Sequence, residues 1–171
     1  MVSHTFPGIA PIVIGTRTND ARLDKFANQQ GWTGGFQSLS PNAATNFVII
    51  RLRNPSASGK TLYVVGVYYS STVAQRVDVD TPVTPARASF GGEQRNPHFP
   101  GQAAGVGNCS ISNAQAANPV TNPNPSEQLG ASNPVYRALD HVLNANSSID
   151  LAFTNGVTTD KDTGFFEWYE E

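Results

Sequence analysis

The chain has 171 residues, a net charge of -2 and only 14% Asp, Glu, Lys and Arg, against about 25% in an ordinary globular domain. It has too little basic charge to grip a phosphate backbone and no apolar run near the ~20 residues that span a bilayer, which argues against nucleic-acid and membrane partners. Its single cysteine, Cys109, cannot close an internal disulfide.

Residues 1–31 read as an arm. Pro11 confines a strand over 9–14 to a sheet margin, and Thr18 or Asn19 would cap a short helix over 19–28. Residues 32–171 read as one domain. Phe47–Arg53 is β-branched, with Val48, Ile50 and Leu52 inward. A turn cluster, Asn54–Gly59, follows. Leu62–Tyr69 is apolar on both faces, with Leu62, Val64 and Tyr68 on one and Tyr63, Val65, Val67 and Tyr69 on the other. Such a strand is covered on both sides, by its own domain or by a second chain. Ala74–Asp80 alternates, Val77 and Val79 inward, Arg76, Asp78 and Asp80 toward water.

Residues 81–105 and 112–133 read as long Pro-, Asn-, Gly- and Ala-rich loops flanking a short strand, Val106–Ile111. Loops beyond ~15 residues are uncommon unless they have a task. Across 96–133 the only charged side chain is Glu127, so this neutral span is expected to be covered by other subunits. Pro134–Leu143 fits a helix begun by Asn133 and Pro134, or a strand ending at the turn 144–148. Alternating strands over 149–154 and 165–169 close the chain around the Asn155-Gly156 turn. Many short strands between turn clusters predict an all-β sandwich or barrel.

The chemistry-bearing motifs are weak. Ser58-Gly59-Lys60-Thr61 has the ending of a phosphate-binding loop, but Asn54 stands where its first glycine belongs and a strand follows instead of a helix. It reads as a turn between two antiparallel strands, with Lys60 solvated. Gly105-Val106-Gly107 begins a dinucleotide fingerprint without its third glycine. Cys109 with His141 could form a nucleophile–base pair, but a lone cysteine on an apolar strand is more often core. His4, His98 and His141 lack metal-ligand spacing. Asp78 with Asp80, or Asp160 with Asp162, could offer oxygens to calcium, yet neither pair lies in a Gly-containing ligand loop, and solvated carboxylates are expected. No cofactor is implied. Trp32, Phe36, Phe90 and Tyr136 read as loop aromatics, fit to stack on sugars or to anchor an interface.

Three segments carry a resemblance. The strand–turn–strand block 46–69 and the stretches 142–156 and 163–171 resemble segments common in structural proteins of tailed phages. They look like strands of a jelly-roll sandwich whose last strand returns to the centre of a sheet, which favours a strand at Tyr136–Leu143. The resemblance implies an antiparallel jelly-roll-like β-sandwich and a virion component: a decoration protein, a minor capsid protein, or part of a tail or fibre. It implies assembly with itself, a trimer favoured, and with other virion proteins such as the major capsid protein. The location would be the virion, after synthesis in the host cytoplasm, since no secretory signal is visible. Phe6, Ile9, Ile12, Trp32, Tyr63, Tyr69, Phe90 and Phe99 are the expected interface residues. The alternative is a carbohydrate- or receptor-binding module with a glycan partner. A cupin-like enzyme is the least favoured reading, because only three histidines exist and a non-enzymatic role is expected.

Overall fold

The computed structural model describes residues 31–44, 47–80, 91–94, 96–97, 105–115, 126–154 and 157–171. The strand and helix expected within the arm lie outside them. The described residues form eleven strands, in chain order: β1 Gly31–Leu39, β2 Phe47–Arg53, β3 Leu62–Ser71, β4 Gln75–Asp80, β5 Gly91–Gln94, β6 Asn96–Pro97, β7 Asn108–Gln115, β8 Ser126–Leu129, β9 Val135–Leu143, β10 Ser148–Phe153 and β11 Asp162–Glu170. All pairings are antiparallel. One sheet has the order β6-β1-β11-β3-β9, the other β5-β7-β2-β10-β4-β8. The protein is an all-β, jelly-roll-like sandwich, with its last strand between β1 and β3 in the middle of a sheet.

The core lies between the sheets. The six-stranded sheet contributes Val48, Ile50 and Leu52, then Val77 and Val79, then Ile149, Leu151 and Phe153; the five-stranded sheet answers with Leu62, Val64, Val67, Tyr69, Phe166 and Trp168. Burial of side chains this large supplies most of the driving force, at about 1.5–3 kcal/mol each. The sheets approach closely at Gly164, where an added Cβ would stand 2.6 Å from Leu151 Cδ2 and 2.7 Å from Ile50 Cδ1.

Several expectations need correction. Trp32 and Phe36 are not loop residues but belong to β1, which two internal glycines hide from a propensity reading. Tyr136 lies on β9, so Val135–Leu143 is a strand. The two long loops hold β5, β6 and β8 and the end of β7. The turn after β2 does not join paired strands: β2 and β3 belong to different sheets. Asn54 fixes that crossing, its side-chain amide donating to the carbonyls of Lys60 and Leu143, each at 2.8 Å.

The strict alternation assigned to β3 also fails. Relative to β11, Val65 is an extra residue between Val64, opposite Trp168, and Gly66, opposite Glu167. This bulge shifts the side-chain phase by one. Leu62 and Val64 point inward before it, Val67 and Tyr69 after it, and Tyr68 turns outward.

Candidate functional site

Antiparallel register places side chains from neighbouring strands in rows across a sheet face. On the outer face of the five-stranded sheet there are three such rows. Gly35, Phe165, Tyr68 and Tyr136 form one; Thr33, Glu167, Gly66 and Ala138 the next; Gly31, Tyr169, Tyr63 and Val142 the third. Two aromatic rows thus flank a row of small residues around one carboxylate. Phe165 and Tyr169 are four residues apart on β11, so the aromatic rows are separated by about 13 Å.

The ring geometry is defined. Tyr63 and Tyr169 stack with centroids 4.8 Å apart and planes 9° from parallel, and Tyr68 meets Phe165 at 6.4 Å and 48°. Tyr136 folds over Gly66, whose missing Cβ would strike the Tyr136 hydroxyl and ring. Its hydroxyl donates to Glu167 Oε2 at 3.0 Å. A large residue at position 66 would push the ring away, so the glycine is what lets Tyr136 lie flat. Tyr68 is 38% exposed, Tyr136 50% and Val142 54%. Alternation along β9 also leaves Asp140 exposed between Ala138 and Val142.

The acids that the sequence offered as calcium ligands lie elsewhere. Asp78, Asp80, Asp160 and Asp162 are buried, not solvated as expected. Asp160 accepts from Ser71 Oγ at 2.9 Å, Thr72 Oγ1 at 2.8 Å and the Lys161 amide at 2.7 Å. Gln75 Nε2 joins it to Asp162, at 2.9 and 2.6 Å. Burial first, then the adjacent Asp160 carboxylate, pushes Asp162 up to about 8. No cluster of three or more His, Cys, Asp or Glu fit to hold a metal occurs among the described residues.

Gly105-Val106-Gly107 does bind an anion, but the anion is internal. Glu170 Oε1 accepts from the amides of Val106 and Gly107, each at 2.8 Å, and from Trp168 Nε1 at 3.1 Å. Consecutive backbone amides make such a cradle; here it pins the segment before β7 to the last strand. Cys109 is fully buried, and desolvation pushes its thiol well up from the usual range. It is a core residue and a poor nucleophile. Lys60 is exposed in its turn.

Of the expected interface residues, Phe6, Ile9, Ile12, Phe90 and Phe99 lie outside those whose side chains are described. Trp32 and Tyr69 are corrections: they are 6% and 1% exposed, so their rings serve the core. Tyr63 lies on the outer aromatic face, joined there by Tyr68, Tyr136, Phe165 and Tyr169. The alternation of Phe165, Glu167 and Tyr169 against Phe166 and Trp168 was a readable signal for β11; the phase shift in β3 was not. No family model, curated protein or solved structure was found to match the chain.

Proposed function

We propose that the chain is a non-enzymatic virion structural protein, a decoration or minor capsid component that assembles as a homo-oligomer, a trimer favoured, on a capsid or tail lattice. The virion setting comes from the strand-and-turn segments of its sequence. One contrast in the fold supports a contact role over a chemical one. The acids it gathers, Asp150, Asp160, Asp162 and Glu170, are buried and engaged by the chain's own donors, whereas the outer face of the five-stranded sheet presents tyrosines to solvent. Exposed aromatic surface of this kind marks sites of contact. The test is light scattering on the full chain after size exclusion, with co-sedimentation on capsid or tail particles. A trimer that associates with particles is expected; a folded, monodisperse monomer with no affinity for particles would overturn the proposal.

The second reading, a carbohydrate- or receptor-binding module, is favoured by one observation: the exposed rings are hydroxyl-bearing tyrosines set around a carboxylate.

A further inference from the structure

We infer that Asp160 and Asp162 share one proton, and that this proton latches one end of the sandwich until rising pH removes it. Four connections that cross between the sheets meet there: β1 to β2, β3 to β4, β8 to β9 and β10 to β11. Ser40, after β1, donates its hydroxyl to the Asp160 carbonyl at 2.6 Å. Thr72, after β3, donates its amide to the Lys161 carbonyl at 3.2 Å, and its hydroxyl oxygen accepts from the Lys161 amide at 2.9 Å. Ser132, before β9, donates its amide to the Ser71 carbonyl at 2.7 Å. The two carboxyls lie inside this knot, each 0% exposed and in hydrogen-bonding contact with one another.

Two buried carboxylates in contact do not both stay ionised without a counter-charge. Their described neighbours supply none. Leu39 and Ser40 from β1 and its exit, Ser71, Thr72 and Gln75 from β3 and β4, and Ser132 from the β8–β9 connection are all uncharged. The Lys161 ammonium is turned to Ser40 Oγ at 2.9 Å, and the Arg76 guanidinium to Asp78 at 2.9 Å. The donors also place the proton. Asp160 Oδ1 accepts from Ser71, Thr72 and the Lys161 amide, and its Oδ2 from Gln75. Asp162 Oδ1 accepts from Gln75 at 2.6 Å, while its Oδ2 is buried with no partner. A cation needs several open oxygens; this pair offers one, which suits a proton. The direction of titration agrees: burial first, then Asp160, push the Asp162 carboxyl up to about 8. Below that value the pair is held together; above it two like charges repel inside the knot, and this end loosens.

The test is an NMR titration of the full chain from about pH 5 to about pH 10. The side-chain carboxyl carbons of Asp160 and Asp162 should move together, with one midpoint near 8. The amides of Thr72, Ser132 and Lys161 should follow them, while those of Ile50 and Leu151 in the core stay in place. Asp162→Asn should abolish the response. Asp160→Asn, which removes the second carboxylate but not the burial, should lower the Asp162 midpoint by about one pH unit or more, a ten-fold loss of proton affinity. If either variant fails to fold, the carboxyl titration of the unaltered chain decides. Separate midpoints for the two carboxyls, amides that do not respond, a response that survives Asp162→Asn, or a midpoint unmoved by Asp160→Asn would overturn the inference. Calcium chloride that keeps the amides in their low-pH positions at high pH, reversed by EDTA, would also overturn it and assign the pair to a cation. The outward aromatic face takes no part in this latch, so the assembly proposal stands or falls separately.

Discussion

On the outward side of the six-stranded sheet, Arg51 and Asp150 sit directly opposite each other, 3% and 0% exposed, joined by bonds of 2.7 and 2.9 Å. On the outward side of the five-stranded sheet, Tyr68 and Tyr136 stand 38% and 50% exposed. The sandwich buries charge on one outer face and shows aromatic rings on the other, the reverse of the usual arrangement. Burying an ion pair adds little stability over apolar side chains, but it makes each partner indispensable to the other. Exposed rings contribute little to the fold, so their value lies in what they touch. The two faces should therefore respond oppositely to mutation, one in stability and the other in binding.

The largest effect is expected at the buried pair. Asp150→Ala leaves the Arg51 guanidinium buried without its carboxylate and should cost about 3–5 kcal/mol in urea unfolding. The double variant Arg51→Met/Asp150→Leu should recover most of that loss; if it does not, the pair supplies more than mutual neutralisation. Next, Glu170→Gln keeps the side-chain shape but removes one acceptor oxygen and the charge from the amide cradle. It should cost about 1–3 kcal/mol, with faster amide exchange at Val106 and Gly107.

Titration sharpens the contrast further, because it should act through the buried acids and not the aromatic face. The Asp162 carboxyl titrates near 3.8 when unfolded and about 8 when folded. Between those values the folded state holds the extra proton, so stability is complete below the window and falls as pH rises through it. The slope is at most about 1.4 kcal/mol per pH unit. Asp162→Asn should flatten that slope in melts taken across the window; an unchanged slope would place the proton elsewhere.

The smallest effects on stability belong to the aromatic face. Tyr68→Ser should change unfolding by about 0.5 kcal/mol or less while removing the contact that the face makes. Gly66→Ala should displace the flexible, half-exposed Tyr136 side chain and release Glu167 from its hydroxyl, with a change of similar size. Gly164→Ala, by contrast, meets Leu151 and Ile50 across the core and should cost about 1–3 kcal/mol. If the outward and inward glycines cost the same, the distinction between the faces fails.

The alternation within Phe47–Arg53, Gln75–Asp80 and Ser148–Phe153 determined an all-β fold and its inward residues. It did so because a pleated strand with one face in a core must repeat every two residues. Asn54 and the Asn144–Ser148 turn were legible for a similar reason: short polar side chains tolerate turn geometry, and Asn146 adopts a φ of 65°. Only the tertiary structure decided which tyrosine faces water. One extra residue at Val65, defined solely by its pairing with β11, sends Tyr69 into the core and Tyr68 out. Likewise, only the packing of distant segments could turn the expected surface acid Asp160 into a buried one, since it finds Ser71 and Gln75 across a long stretch of chain, as Glu170 finds Val106. Register and long-range pairing belong to the partner strand as much as to the strand itself, so no single stretch of sequence encodes them.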